Sequence, residues 1–178
     1  MRTALVALIG SMATPTVVAT TPVNAVPHLD VARYAGTWHE IARLPMYFQR
    51  KCAGPVTARY APQPDGTVAV HNECVTAEGT IIAIDGVARR PEPFAQGKLE
   101  VRFAPKWLSW LPLVWADYWV VALDDDYQWA MVGQPGRKYL WILSRQPSLD
   151  RKTFEMLKAR AVAMGYDLSG LIMSGDVI

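Results

Sequence analysis

Two cysteines, three histidines and few charges are the shortages that narrow what this chain can do. His28, His39 and His71 are scattered, with no cysteine cluster beside them, so no spacing suits a tetrahedral zinc site. Asp124, Asp125 and Asp126 stand in a row, but too few oxygen ligands surround them for a calcium loop. Gly-x-Ser-x-Gly, a glycine-rich phosphate loop and a dinucleotide fingerprint are all missing, so neither catalysis by those routes nor a cofactor is expected. Charged residues are 19% of the 178 positions, below the roughly 25% of an average domain. Eighteen Lys and Arg against sixteen Asp and Glu leave a net charge of +2 and no dense basic stripe, so nucleic acid is not an expected partner. The length suits one domain with a single core.

Large aromatics are plentiful: seven Trp and seven Tyr exceed what a disordered chain tolerates. At the N-terminus Arg2 precedes an apolar run from Ala4 to Ile9, followed by small residues ending at Ala19 or Ala25. That is the pattern of a secretory signal peptide. We take 1–25 as the leader and 26–178 as the domain, the alternative being an apolar tail, because Thr14-Pro15 and residues 20–22 interrupt the pattern. No other run approaches the ~20 apolar residues of a membrane helix. No cysteine follows the leader, so a lipid-modified N-terminal cysteine is not expected there.

Cys52 and Cys74 are an even pair in a chain that reads as exported, which favours one disulfide over two thiols. If 56–60 and 67–72 are strands joined by Pro64-Asp65-Gly66, with Tyr60 opposite Val68, then Gly54 falls opposite Cys74. Cys52 then lies two residues from direct register.

Alternating apolar and polar residues recur in short runs with turn signals between them, the pattern of an all-β barrel or sandwich. Eight strands are expected, at 37–43, 56–60, 67–74, 79–88, 98–104, 117–123, 129–133 and 139–145. Sequential neighbours and tight turns favour an antiparallel up-and-down order that closes first strand onto last. Residues 148–165 differ: Phe154, Leu157, Ala161 and Met164 recur at helical spacing, Ser148 is placed to cap the start and Gly165 to end it. One helix packed outside the barrel follows, and 171–173 is a short strand or coil.

Three segments carry more than composition: Tyr34-Ala35-Gly36-Thr37-Trp38-His39-Glu40-Ile41-Ala42-Arg43, then Ala122-Leu123-Asp124-Asp125-Asp126-Tyr127, then Tyr139-Leu140-Trp141-Ile142-Leu143-Ser144-Arg145. In this order, and followed by a helix, they resemble the three conserved segments of the lipocalins, especially the bacterial outer-membrane type. The resemblance covers about 30–173. Two departures are the missing lipid-modified cysteine and Asp125-Asp126-Tyr127 where the family has Thr-Asp-Tyr. The cysteine pair also looks like one found in some bacterial members. The resemblance implies an eight-stranded barrel whose floor is filled by Trp38, reached through Gly36, with Arg145 lying across the indole. These are building residues rather than contacts to a ligand.

With Trp38 inward, period two turns Glu40 and Ala42 inward, and counting back from Arg145 does the same for Leu143, Trp141 and Tyr139. The resemblance adds Val56, Ala58 and Tyr60, Val70 and Asn72, Val101 and Phe103, and Tyr118 and Val120. From these we take Glu40, Ala58, Tyr60, Val70, Asn72, Val101, Phe103, Tyr118, Tyr139 and Trp141 as the candidate ligand contacts. Mostly apolar and aromatic, this lining suits an acyl chain better than a sugar or nucleotide, with Tyr118, Tyr139 or Arg137 placed to orient a polar head. Two other readings stand beside it: an enzyme of the same fold acting on a bound lipid or isoprenoid with Glu40 or a tyrosine as acid or base, and a filled barrel serving as a surface module.

Trp107, Trp110, Leu111 and Trp115 belong to an uncharged run of three Trp and four aliphatic residues between the fifth and sixth strands. It is expected to flank the mouth with Met46, Tyr47 and Phe48. Such a patch marks a membrane contact, a lid or a homodimer contact; we take the first. The expected function is therefore carriage of a small hydrophobic ligand by an exported protein of the periplasm or outer-membrane surface.

Overall fold

Turn chemistry and strand periodicity close the chain into a barrel. The computed structural model describes residues 21–91, 97–104, 111 and 114–178. Eight antiparallel strands run up and down: β1 Gly36–Arg43, β2 Cys52–Pro62, β3 Val68–Thr76, β4 Ile81–Arg89, β5 Lys98–Arg102, β6 Ala116–Leu123, β7 Trp129–Gly133 and β8 Leu140–Ser144. Each pairs with the next, and β8 pairs back to β1. A four-residue helix, α1 Val31–Tyr34, precedes β1, and α2 Arg151–Ala163 follows the barrel.

The β2–β3 hairpin shows how the turn sets register. Gly66 takes a positive φ of 82°, and Asp65 accepts from the Thr67 N–H at 3.0 Å. The strands grow to Pro62 and Val68, so Tyr60 lies opposite Val70 rather than the expected Val68. A shift of two keeps every face. Cys52 pairs with Thr76 across an irregularity, Val56 lies opposite Cys74, and the Cys52–Cys74 disulfide closes with Cα atoms 5.5 Å apart.

Two β-bulges were not visible in the alternation. Register shifts fall between Glu40 and Ala42 on β1 and between Val120 and Ala122 on β6. Each turns two successive apolar residues, Ile41-Ala42 and Val121-Ala122, into the cluster beneath α2. Ala42 is therefore outside the barrel, against expectation, and Arg43 takes its place on the inward row, opposite Trp141. An extra residue per bulge inverts the faces beyond it.

The core accordingly has two layers. One lies between the outer wall and α2, where Phe154, Leu157 and Ala161 pack on Met131, Leu140 and Ile142; full burial of a Phe or Leu side chain contributes about 1.5–3 kcal/mol. The other fills the lower barrel. α2 is capped by Asp150, whose carboxylate accepts from the Thr153 N–H, not by Ser148. Ser148–Leu149 is instead a short strand, β9, held parallel to β11 Asp176–Val177. Between them β10, Ile172–Met173, adds a ninth strand beside Ala42 and Arg43 of β1.

Candidate functional site

The closed end of the barrel is built where the three quoted segments meet. Trp38 is fully buried, and its indole N–H donates to the Tyr34 carbonyl at 2.8 Å. The Arg145 guanidinium lies 3.9 Å from the centre of that ring and donates to the carbonyls of Tyr127, Thr37 and Arg33. Gly36 has φ 96°, and a Cβ there would meet the same guanidinium at 3.4 Å. Tyr127 adopts a positive φ of 59° in the Asp124–Asp126 turn, and its hydroxyl accepts from the Asp30 N–H.

Above this floor three tyrosines converge. Tyr118 Oη lies 2.9 Å from Tyr34 Oη and 2.8 Å from Tyr60 Oη. Burial pushes the Tyr60 phenol up to about 12 and those of Tyr34 and Tyr118 well above their ordinary value, since a phenolate there would lose its water. Tyr34 comes from α1, outside the strand pattern, and was missed by reasoning that followed strands alone; its place two residues before Gly36 is the signal that was available. From here aromatic rings form a ladder to the mouth. Tyr118 is 6.5 Å from Trp141, Trp141 is 6.1 Å from Tyr139, and Tyr139 is 5.6 Å from Phe48.

Inward rows change character with height. Ala88, Val68 and Val70 close the lower part, with Ala58 and Val101 packed against them. On β4, opposite Val70, Gly86 leaves room for the Phe103 ring, which a Cβ would meet at 2.6 Å. Higher still, Asn72 faces Ile84 and Cys74 faces Ile82 across β3–β4. Ile82 and Ile84 are 37% and 50% exposed. The Asn72 Oδ1 is buried with no partner among the described residues.

Glu40 also faces inward, but its carboxylate is occupied. Oε1 accepts from Arg43 at 2.7 Å and from the Ser174 hydroxyl at 2.6 Å, and Oε2 accepts from Gln49 at 3.0 Å. Gln49 in turn accepts from the Trp141 indole at 3.2 Å. Sequence reasoning missed Arg43, Gln49 and Ser174, because a bulge and a C-terminal strand bring them together.

At the rim Tyr47 is 75% exposed and Phe48 half exposed. Trp107 and Trp110 lie outside the described residues. Leu111 is partly buried. Trp115 is also partly buried, stacked under Arg89 at 3.8 Å and Arg102 at 5.2 Å on the outer wall. Among the described residues no cluster of His, Cys, Asp and Glu could hold a metal ion, and His71 spends its two ring nitrogens on Asp85 and Glu73 outside the barrel.

Residues 29–176 match the family model described as a lipocalin-like domain. The chain belongs to the lipocalin family. This lipocalin is 43% identical to temperature-induced lipocalin-1 of Arabidopsis thaliana over 150 residues, covering 83% of this chain and 80% of that protein. It is 34% identical to the outer membrane lipoprotein Blc of Escherichia coli K12 over 151 residues, covering 84% and 81%. Apolipoprotein D of Rattus norvegicus is 30% identical over 149 residues, covering 80% and 74%. Among solved structures, insecticyanin from the tobacco hornworm Manduca sexta superposes with a TM-score of 0.61 at 23% identity, covering 90% of each chain, which shows the shared fold. Lipocalins generally bind and transport small hydrophobic ligands.

Proposed function

We propose that this lipocalin carries a single-chain lipid, a fatty acid or lysophospholipid, with the acyl chain in the upper barrel. The observation that carries the reading is the pair of inward-facing isoleucines, Ile82 and Ile84, left substantially exposed above a floor that Trp38 and three tyrosines fill. Apolar side chains left exposed on an inner wall among the described residues are a surface for a ligand to cover, and each methylene buried there contributes about 0.8 kcal/mol. Carriage without bond chemistry fits the remaining groups: both Glu40 oxygens are engaged, and burial keeps the Tyr34, Tyr60 and Tyr118 phenols protonated at neutral pH, so none is poised to take a proton.

The test is a titration of delipidated protein with palmitic acid, followed by tryptophan fluorescence, with mass spectrometry of what the purified protein releases. Ile84→Glu, on a half-exposed position, is expected to fold and to weaken binding by about tenfold or more. Wild-type protein that neither releases nor titrates with lipid refutes carriage.

Within the same proposal the protein works in the periplasm or at the outer-membrane surface, with a leader removed and its mouth touching the bilayer. Support comes from the disulfide, which suits an oxidising compartment, and from the exposed Tyr47 and Phe48. The Escherichia coli relative is described as an outer membrane lipoprotein. Tyr47→Ser with Phe48→Ser is expected to abolish flotation with liposomes, and unchanged flotation of the folded variant refutes the contact.

A further inference from the structure

The strand pairing leaves a split in the barrel wall. β1 pairs with β2 only from Gly36 to His39, and at Ala42 and Arg43 its neighbour is β10. β2 meanwhile continues along β3 to Cys52. Here lies a cleft of about 500 Å³ lined by Arg43, Met46, Tyr47, Arg50, Cys52 and Ile172, with Pro45. Small-molecule sites span roughly 300–1,000 Å³.

Its lining is mixed in a particular way. Met46, Tyr47 and Ile172 are apolar, Arg43 and Arg50 are cationic, and no carboxylate is among them. Arg43 is buried; Nη1 serves Glu40 and Ser174, Nη2 serves the carbonyls of Gln49 and Cys52, and Nε has no partner among the described residues. Glu40 balances the Arg43 charge, so the net charge of the cleft comes from Arg50, which is exposed and has no ion-pair partner among the described residues. Arg43 lies opposite Trp141, whose ring belongs to the inner wall. Cleft and barrel interior thus meet at one side chain.

We propose that this cleft seats the negatively charged headgroup of the bound lipid, phosphate or carboxylate, while its chain lies in the barrel. The proposal rests on the carriage reading above and adds where the head goes and what charge it has. Guanidinium groups recognise both oxyanions through paired N–H donors, and the apolar lining suits the carbons that join head to tail.

Delipidated protein is titrated by tryptophan fluorescence with three probes sharing one acyl chain: lysophosphatidic acid, the fatty acid and the monoacylglycerol. At low salt the anionic probes are expected to bind about tenfold tighter than the neutral one. Arg50→Glu is expected to bring that ratio close to one and Arg50→Lys to keep part of it. Arg59→Glu makes the same charge change at an exposed position on β2 near the closed end and is expected to leave the ratio unaltered. A preference for only one anionic probe supports the cleft and names the source of the oxyanion. Equal binding of all three, or a ratio that survives Arg50→Glu, overturns the cleft while sparing carriage. No titration by any probe overturns both.

Discussion

Replacing Arg145 tests whether the barrel floor is held from outside. The guanidinium sits 3.9 Å from the Trp38 ring centre and serves three carbonyls, of Tyr127 at 3.2 Å, Thr37 at 2.9 Å and Arg33 at 2.7 Å. A cation–π contact of this kind contributes about 0.5–2 kcal/mol. The part-buried bond to Tyr127 contributes about 1 kcal/mol, and the two exposed carbonyls recover water, so each loses only a few tenths. Arg145→Leu should therefore cost about 2–3 kcal/mol, which for a domain of this size lowers Tm by about 5–10 °C. Arg145→Lys keeps a cation over the indole but has no fork to bridge three carbonyls, and should cost about 1 kcal/mol. Urea unfolding followed by circular dichroism measures both. A double-mutant cycle with Trp38→Phe isolates the pair, and about 1 kcal/mol of coupling is expected. An Arg145→Leu protein within 0.5 kcal/mol of wild type, or a coupling indistinguishable from zero, would show that the floor stands without its guanidinium.

Reduction, or the paired change Cys52→Ala and Cys74→Ala, opens a loop with a sequence separation of 22; the expected loss is about 3 kcal/mol and a Tm lower by about 6–12 °C, and superimposable melts with and without reductant count against a structural bridge. Tyr34, Tyr60 and Tyr118 bind their protons more tightly folded than unfolded, so their contribution to stability is fully present below the unfolded pKa near 10 and is lost as pH rises toward about 12, the folded value for Tyr60. Spectrophotometric titration should show the phenols of Tyr34, Tyr60 and Tyr118 ionising above the ordinary tyrosine range, with Tyr166 also raised by burial; all seven ionising together near pH 10 in the folded protein rejects the buried cluster. Gly86→Ala places a Cβ 2.6 Å from Phe103 Cδ1 and 2.8 Å from the Arg102 carbonyl, so we expect a loss of about 1–3 kcal/mol in urea unfolding, partly restored by Phe103→Leu; a neutral Gly86→Ala removes Phe103 from that position.

The strand order was legible because each barrel strand follows its neighbour in sequence and turns carry their own markers. Asp65-Gly66 and Gly79 have the chemistry of tight turns, and the helix announced itself through Phe154, Leu157 and Ala161 at period 3.6. What failed was local and had local causes. Ser148 and Asp150 are both capping residues, and only the pairing of Ser148–Leu149 with Asp176–Val177 decides between them. Register across β2–β3 depends on how far the hairpin zips toward Gly66, which alternation does not specify when both choices keep the same faces.

The polar part of the site was hidden for a deeper reason. A closed barrel that must also carry α2 needs a flat apolar seat on its outer wall, and the two bulges supply it by turning Ile41-Ala42 and Val121-Ala122 outward together. The same inversion on β1 carries Arg43 to the inner row, where a lone guanidinium would be costly to bury. Glu40, on the same strand before the bulge, lies at 2.7 Å to pair with it, and Ser174, brought in by the C-terminal strand, serves both. Seating the helix therefore places a buried ion pair at the split between β1 and β2. Read as a strict period of two, Glu40 is a free carboxylate in a greasy barrel and Arg43 a surface cation; one inserted residue makes them partners at the edge of the cleft.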